Sequence, residues 1–434
     1  MNEGIRKLPS SFFLLPSFFN MQTTEITKNW ITRIIAIQAI ILLIIGLLTL
    51  RKTLGTHDLN LYYRSSLYLL QGKLPYRDFD LEYPPFALIA FILPRILTLG
   101  LTNNSYIYAF FFVIQNVFFS SINTILLLNI ISKSNSQPHK ILALIFYTLF
   151  AAIVSPVMLW RYDLFPTLLT VLALVTVISL RPTFAGIFLG FGIAAKLYPV
   201  ILLPVFTVYY FANRSYRAIL NLWLGTVGTV FLIFLPFIIT SHGKFFYFLT
   251  YHKERGLQIE SFSAGIISLI HKFGFIEVKT IAGYGSRNIV SPLNDIILGL
   301  LPWLLIVLYS VMLINCFYRF REDRYDNQVV KNKSLVAYSL LALLIFIVTS
   351  KVFSPQYIVW IVPFAALLKP RQLILMLGIC LTTYIMMTFG SFRNLDFGKI
   401  LWLNLRNVLV LGLGVWVFLD YLPGWVNLRL RRNW

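Results

Sequence analysis

The side chains in this sequence best suited to chemistry sit where long apolar runs give way to short polar stretches. Residues 56–85, THDLNLYYRSSLYLLQGKLPYRDFDLEYPP, hold Asp58, Asp78, Asp80 and Glu82, four of the 16 acidic residues in a chain of 434. Four further stretches share this character. WRYDLFP (160–166) carries Arg161 and Asp163, and AAKLYP (194–199) carries Lys196. HKERGLQIES (252–261) carries His252, Lys253, Glu254, Arg255, Gln258 and Glu260, and KVFSPQY (351–357) carries Lys351 and Gln356. Carboxylates can take protons from hydroxyls, and clustered cations can stabilise an oxyanion or phosphate. Ionisable groups near membrane depth are costly and therefore candidate functional groups.

Each stretch also has a structural reading. Asp58 stands at or near the start of an amphipathic segment, LNLYYRSSLYLL, where it could simply cap a surface helix. Arg161 and Asp163 could pair with each other. Lys196 ends an apolar, small-residue helix and could snorkel to the interface. Residues 252–261 could be a solvated loop, and Pro84 and Pro85 make Glu82-Tyr83-Pro-Pro a rigid, extended element.

The elements that must hold these groups are membrane helices. The chain is 58% hydrophobic and 12% charged, against about 25% charged in soluble domains. Apolar runs of about 20 residues recur and are continuous rather than alternating, which selects helices over a barrel. Candidate spans are 30–50, 105–131, 140–159, 164–180, 183–196, 197–213, 217–240, 293–318, 334–351, 353–369, 372–391 and 401–420, about twelve in all. Residues 86–100, short and interrupted by Pro94-Arg95, are read as an interfacial helix that does not cross. The chain then divides into an N-terminal segment (1–29), one membrane domain (30–420) with outer loops 51–104 and 241–292, and a basic tail (421–434). Within the first segment, residues 1–20 form an interfacial stretch or precede a true start at Met21.

With the N-terminus cytoplasmic, the basic connections around Lys133 and Lys140, Arg181, Arg214 and Arg217, 319–333 and 369–371 fall inside, as does the tail with Arg429, Arg431 and Arg432. Both termini are then cytoplasmic, and the polar stretches share the extracytoplasmic face of a multi-pass plasma-membrane protein. The net charge of +21 is read as this bias and as attraction to anionic lipid, not as nucleic-acid binding. Cys316 and Cys380 lie in apolar segments and build no disulfide framework or metal site. Nucleotide-binding glycine loops, CxxC and HExxH are absent, and five scattered histidines form no metal pattern.

Taken in order, HDLNLYY…LLQGKLPYRDFDLEYPP, RYDLFP, AAKLYP, ERGLQIES and SPQYIVW resemble membrane glycosyltransferases of the GT-C superfamily. They are most similar to polyprenol-phosphate-mannose-dependent mannosyltransferases of family 87 and its DUF2029-type relatives, from about Thr56 to Leu367. The resemblance implies an all-α GT-C-like bundle with juxtamembrane helices in the first outer loop. It also implies an inverting transfer of a hexose, mannose in the nearest relatives, from a polyprenyl-phosphate donor to a lipid-linked or glycan acceptor. The family's carboxylate base matches Asp58, and Glu82-Tyr83-Pro84-Pro85 resembles its acidic-Tyr-Pro-Pro element.

Such a reaction needs a base for the acceptor hydroxyl, assigned to Asp58, and cations for the departing phosphate, assigned to Lys196, Arg161 and Arg255. Asp80, Glu82, Tyr83, Gln258, Glu260 and Gln356 are candidate sugar or acceptor contacts, and Trp160 or Tyr83 could stack on a sugar. No cofactor is required; a divalent metal held by the acidic loop remains an alternative. The rival classes are a transporter or flippase, whose charges should line a path at the midplane, and a non-catalytic subunit of a glycan-assembly complex. Charges at one set of helix ends favour the enzyme.

Overall fold

In the computed structural model, residues 25–54, 56–98, 104–132, 137–390, 392, 394–424 and 426 are described. The interfacial stretch before Met21, Lys133 and the arginines of the tail lie outside them. Among the described residues, seven helices are long and apolar enough to cross a membrane: α1 (Glu25–Thr53), α4 (Ser105–Ser132), α10 (Tyr216–Thr240), α13 (Asn294–Glu322), α14 (Gln328–Thr349), α16 (Pro370–Thr388) and α17 (Phe397–Asp420). Shorter helices fill the bundle: α5 (Gln137–Ile153), α6 (Ser155–Met158), α7 (Leu164–Ile178), α8 (Pro182–Ala195), α9 (Leu202–Ala212) and α15 (Tyr357–Ala365).

The expected spans 140–159, 197–213 and 353–369 are thus broken. The first divides into α5 and α6, the second opens with a 3-10 turn at Tyr198–Ile201, and the third contains only the nine residues of α15. Pro156, Pro199 and Pro355 fall at these breaks, where a missing N–H and a fixed φ end a helix. The breaks bring backbone and polar side chains to the wall of a cavity, where irregular backbone is tolerated.

Two amphipathic helices, α2 (His57–Leu70) and α3 (Ala87–Leu97), follow α1. With 11 residues, α3 is about 16 Å long at 1.5 Å per residue, about half of a hydrocarbon core. It packs on α2 and α4. Between α10 and α13 the chain forms α11 (Tyr247–Glu254), α12 (Phe262–Lys272) and a small antiparallel sheet ordered β1 (Leu257–Gln258), β3 (Ser286–Val290), β2 (Lys279–Gly283). The reading of 252–261 as a solvated loop is therefore corrected. Leu257 and Ile259 are buried with Ile289, Ile400 and Leu403, so apolar burial holds the segment against α17.

The tightest helix pair is α8 with α10. A Cβ on Gly186 would lie 2.1 Å from the Leu222 carbonyl oxygen, and one on Gly225 2.5 Å from that of Thr183. Gly186-Ile-Phe-Leu-Gly190 is a small-xxx-small face that lets the two backbones meet.

The α9/α10, α13/α14 and α15/α16 connections lie at one end of the bundle, where Arg324 donates to the Ala212 carbonyl and Lys369 pairs with Asp420 at 2.9 Å. This end carries Arg214, Arg217, Arg319, Arg321, Lys331 and Arg371.

Candidate active site

At the opposite end lies a cavity of about 300 Å³. Its walls come from segments distant in sequence: the start of α2, the Glu82-Tyr83 element, the turn before α7, the end of α8, the α11–β3 segment and the α14–α15 break. Of the residues singled out from sequence, Asp58, Arg161, Lys196, Arg255, Glu82 and Tyr83 line it, together with Gln258, Glu260 and Gln356. Asp80 and Trp160 do not. Asp80 is exposed, whereas Trp160 is buried and donates its indole N–H to Thr49 Oγ1 at 3.0 Å.

The four acids of the opening loop therefore separate. Asp78 accepts from the Leu74 backbone N–H at 2.8 Å and pairs with Arg77 at 2.9 Å, shaping an exposed turn. Asp58 and Glu82 face the cavity. Asp58 is the second residue of α2, not its cap; Thr56 occupies the cap position without a side-chain bond. Its carboxylate is ion-paired with Arg161, and both side chains retain partial exposure. Glu82 is set by the prolines that follow it: Phe86 N–H donates to the Ala194 carbonyl at 2.9 Å, and Tyr76 Oη–H to the Tyr83 carbonyl at 2.5 Å.

Arg161 and Asp163 do not form a pair with each other. Two residues apart at a helix start, they point to different partners. Asp163, 1% exposed, accepts from Lys196 Nζ at 2.6 Å and from the Trp360 indole N–H at 2.7 Å through the same oxygen. Lys196 is therefore paired and largely covered instead of snorkelling. Burial pushes the Lys196 ammonium pKa down, and the Asp163 carboxylate counters it. Rings surround it: its Nζ lies 4.9 Å from the Tyr162 centroid and 5.3 Å from that of Trp360. Trp360 is itself sandwiched between Tyr198 (4.0 Å) and Tyr357 (3.8 Å). The ammonium is thus immobilised on one side and open to the cavity on the other.

Arg255 has a different environment. Its backbone carbonyl accepts from Lys351 Nζ at 2.5 Å, and its buried Nε finds no hydrogen-bond partner among the described residues. Of the three cations assigned to the phosphate, Arg161 and Lys196 are each paired with a carboxylate, and Arg255 keeps unspent donor capacity. The local field is positive: burial, Arg255, Lys196 and Lys351 hold the His252 imidazole down at about 4. That histidine is neutral at pH 7.

Glu260 sits on the far wall, with Gln258 Nε2 donating to it at 2.6 Å and to Ser354 Oγ at 3.0 Å. Burial raises the Glu260 pKa, against the pull of Arg406, Arg255 and Arg161. Beneath it Arg406, fully buried in α17, donates to the Glu260 carbonyl at 2.5 Å and lies 3.8 Å over the Phe353 ring. Sequence reasoning passed over Arg406, although an arginine inside an apolar span is itself a signal. It also passed over Tyr251, Tyr284 and Arg287, which line the cavity from the segment read as a loop. Among the described residues no three His, Cys, Asp or Glu side chains come together as a metal site.

The chain matches the description of glycosyltransferase family 87 over residues 81–350, which leaves Asp58, Gln356 and Arg406 outside the matched segment. A comparison with curated proteins finds no match. Among solved structures, ArnT from Cupriavidus metallidurans, crystallised with undecaprenyl phosphate, is similar at 14% identity and a TM-score of 0.46. That likeness covers 90% of this chain and 76% of the other. More than half of the chain falls within the family match, so this multi-pass membrane protein belongs to glycosyltransferase family 87.

Proposed function

We propose that the cavity transfers a hexosyl group, mannosyl as the family resemblance suggests, from a polyprenyl-phosphate donor to a hydroxyl of a lipid-linked or glycan acceptor, with inversion. The observation that carries this reading is the meeting of Asp58, Arg161, Lys196 and Arg255 in one cavity at one end of a membrane bundle. A donor with an apolar tail and a polar phosphosugar needs such a site, with polar groups at helix ends and apolar helix faces beneath them.

In the proposed reaction the acceptor oxygen attacks the anomeric carbon as Asp58 takes its proton. The bond from that carbon to the phosphate oxygen breaks, and polyprenyl phosphate leaves with one more negative charge. Arg255 supplies the unpaired donors for that charge, while Lys196 and Arg161 add fixed positive potential. Preorganised cations of this kind stabilise charge without reorganising. They carry the role a metal would otherwise fill, so we propose a metal-independent transfer. The concentration of Lys and Arg at the opposite end supports a site on the extracytoplasmic face, both termini being cytoplasmic.

The test is an assay of the purified protein with a panel of polyprenyl-phosphate sugars, with and without chelator, and mass spectrometry of the products. The reading expects an elongated acceptor and free polyprenyl phosphate in equal amounts, unaffected by chelation. Uptake of labelled donor into vesicles without any product would instead identify a transporter.

A further inference from the structure

The wall of the cavity beside Asp58 is not helical. Strands β2 and β3 pair with Gly283 opposite Ser286, so the hairpin turns in two residues, Tyr284 and Gly285. Both have positive φ, 51° and 65°. This is the backbone of a primed turn, in which Asn-Gly or Gly-Gly is the unstrained choice. A tyrosine at its first position is a local conflict between sequence and structure, and such conflicts concentrate at functional sites.

Packing holds the ring only in part. Tyr284 is 39% exposed and lines the cavity. One edge is fixed, because its hydroxyl donates to Glu254 at 2.9 Å and its ring stands against Tyr251 at 5.2 Å and 78°. The turn reaches the base: a Cβ on Gly285 would lie 3.7 Å from the His57 ring and 3.5 Å from the Tyr251 hydroxyl, and His57 precedes Asp58. Tyr251 and Glu82 are neighbours here, burial first and then the carboxylate pushing the phenol pKa up.

The hairpin wall adjoins Asp58 through His57, so a hydroxyl that gives its proton to Asp58 can be presented from this wall. An oriented aromatic face bonded at its edge to a carboxylate (Glu254), in a cavity that Glu82 and Arg287 also line, suits one chemical class. A pyranose presents an apolar C–H face to an aromatic ring and hydroxyls to polar groups at its edge. We propose that Tyr284, at the tip of the β2–β3 hairpin, is the platform on which a pyranose of the acceptor stacks, making the acceptor a saccharide and not a bare lipid alcohol. The inference rests on the glycosyltransferase reading of the cavity.

Tyr284→Asn tests this, because asparagine suits the turn and removes the ring; Tyr284→Phe keeps the ring and removes only the Glu254 bond. The probes are methyl α-D-mannopyranoside, methyl α-D-glucopyranoside and methyl α-D-galactopyranoside, with glycerol as control. Saturation-transfer NMR is recorded on the full chain in detergent. At least one glycoside should receive saturation on the C–H protons of one ring face in wild type and Tyr284→Phe. Affinity should fall about tenfold in Tyr284→Asn, the loss expected for about 1.4 kcal/mol of stacking, while its melting temperature holds or rises. No saturation of any glycoside in wild type would overturn the proposal. So would equal saturation in Tyr284→Asn, which would place the sugar elsewhere in the cavity. The readout needs no turnover, so it separates failure of this platform from failure of the transfer reaction.

Discussion

Asp58 and Arg161 are ion-paired on the cavity wall, so the carboxylate assigned as base and a cation assigned to the phosphate hold each other before any ligand arrives. A phosphate that engages Arg161 competes with Asp58 for it. Arg161→Gln should therefore raise the donor KM about tenfold or more, because a charge-assisted contact worth about 1.5–3 kcal/mol is lost. Steady-state kinetics with varied donor measures this; an unchanged donor KM would remove Arg161 from the phosphate site.

Asp163 and Lys196 form a buried pair, and breaking one partner leaves a charge without compensation. Asp163→Asn should destabilise the fold by about 3–5 kcal/mol, read as loss of thermal stability in detergent. Asp163→Asn with Lys196→Met should recover most of that stability without recovering transfer. Recovery of both would mean that Lys196 serves the fold alone.

His252 gives an acid-side signature. Its pKa is lowered in the folded state to about 4, so folding favours the neutral ring. That contribution is fully present above the ordinary histidine value near 6.5 and is lost as pH falls through 4. A shift of this size corresponds to about 3–4 kcal/mol before solvent screening. Wild type should lose stability between pH 7 and pH 4 more steeply than His252→Asn, in thermal melts at matched ionic strength. Parallel curves would contradict the assignment. Glu260 acts in the opposite sense: its raised pKa favours the protonated folded state at low pH, a contribution lost as pH rises through its folded value. The double variant would separate the two.

Arg406 reaches the site from α17 and holds the Glu260 backbone. Arg406→Met should lower kcat by about tenfold or more while leaving donor binding nearly unchanged, since it displaces Glu260 and Gln258 without touching a ligand. Equal losses in kcat and in donor affinity would indicate general disruption.

Much of this was legible in the sequence, for identifiable reasons. The apolar runs and the five polar stretches specified membrane helices and one polar face, because span length and charge cost are local properties. Nine of the eleven candidate residues line the cavity, since ligand-facing polar residues stand out against an apolar background. Pairings were not legible: adjacency suggested Arg161 with Asp163, whereas the turn before α7 sends them to Asp58 and Lys196. The β2–β3 hairpin was missed because its strands are five residues each and half-exposed, and because Tyr-Gly is an unusual turn pair. Asp80 was included only for its neighbours; an exposed carboxylate reads the same in sequence as one facing a ligand.

The role of Asp58 is tested most directly by single-turnover transfer in Asp58→Asn, with donor affinity measured on the same preparation. A base in this position predicts a fall in transfer of about 10²–10⁴-fold with donor affinity within a few-fold of wild type. Transfer at the wild-type rate would contradict it.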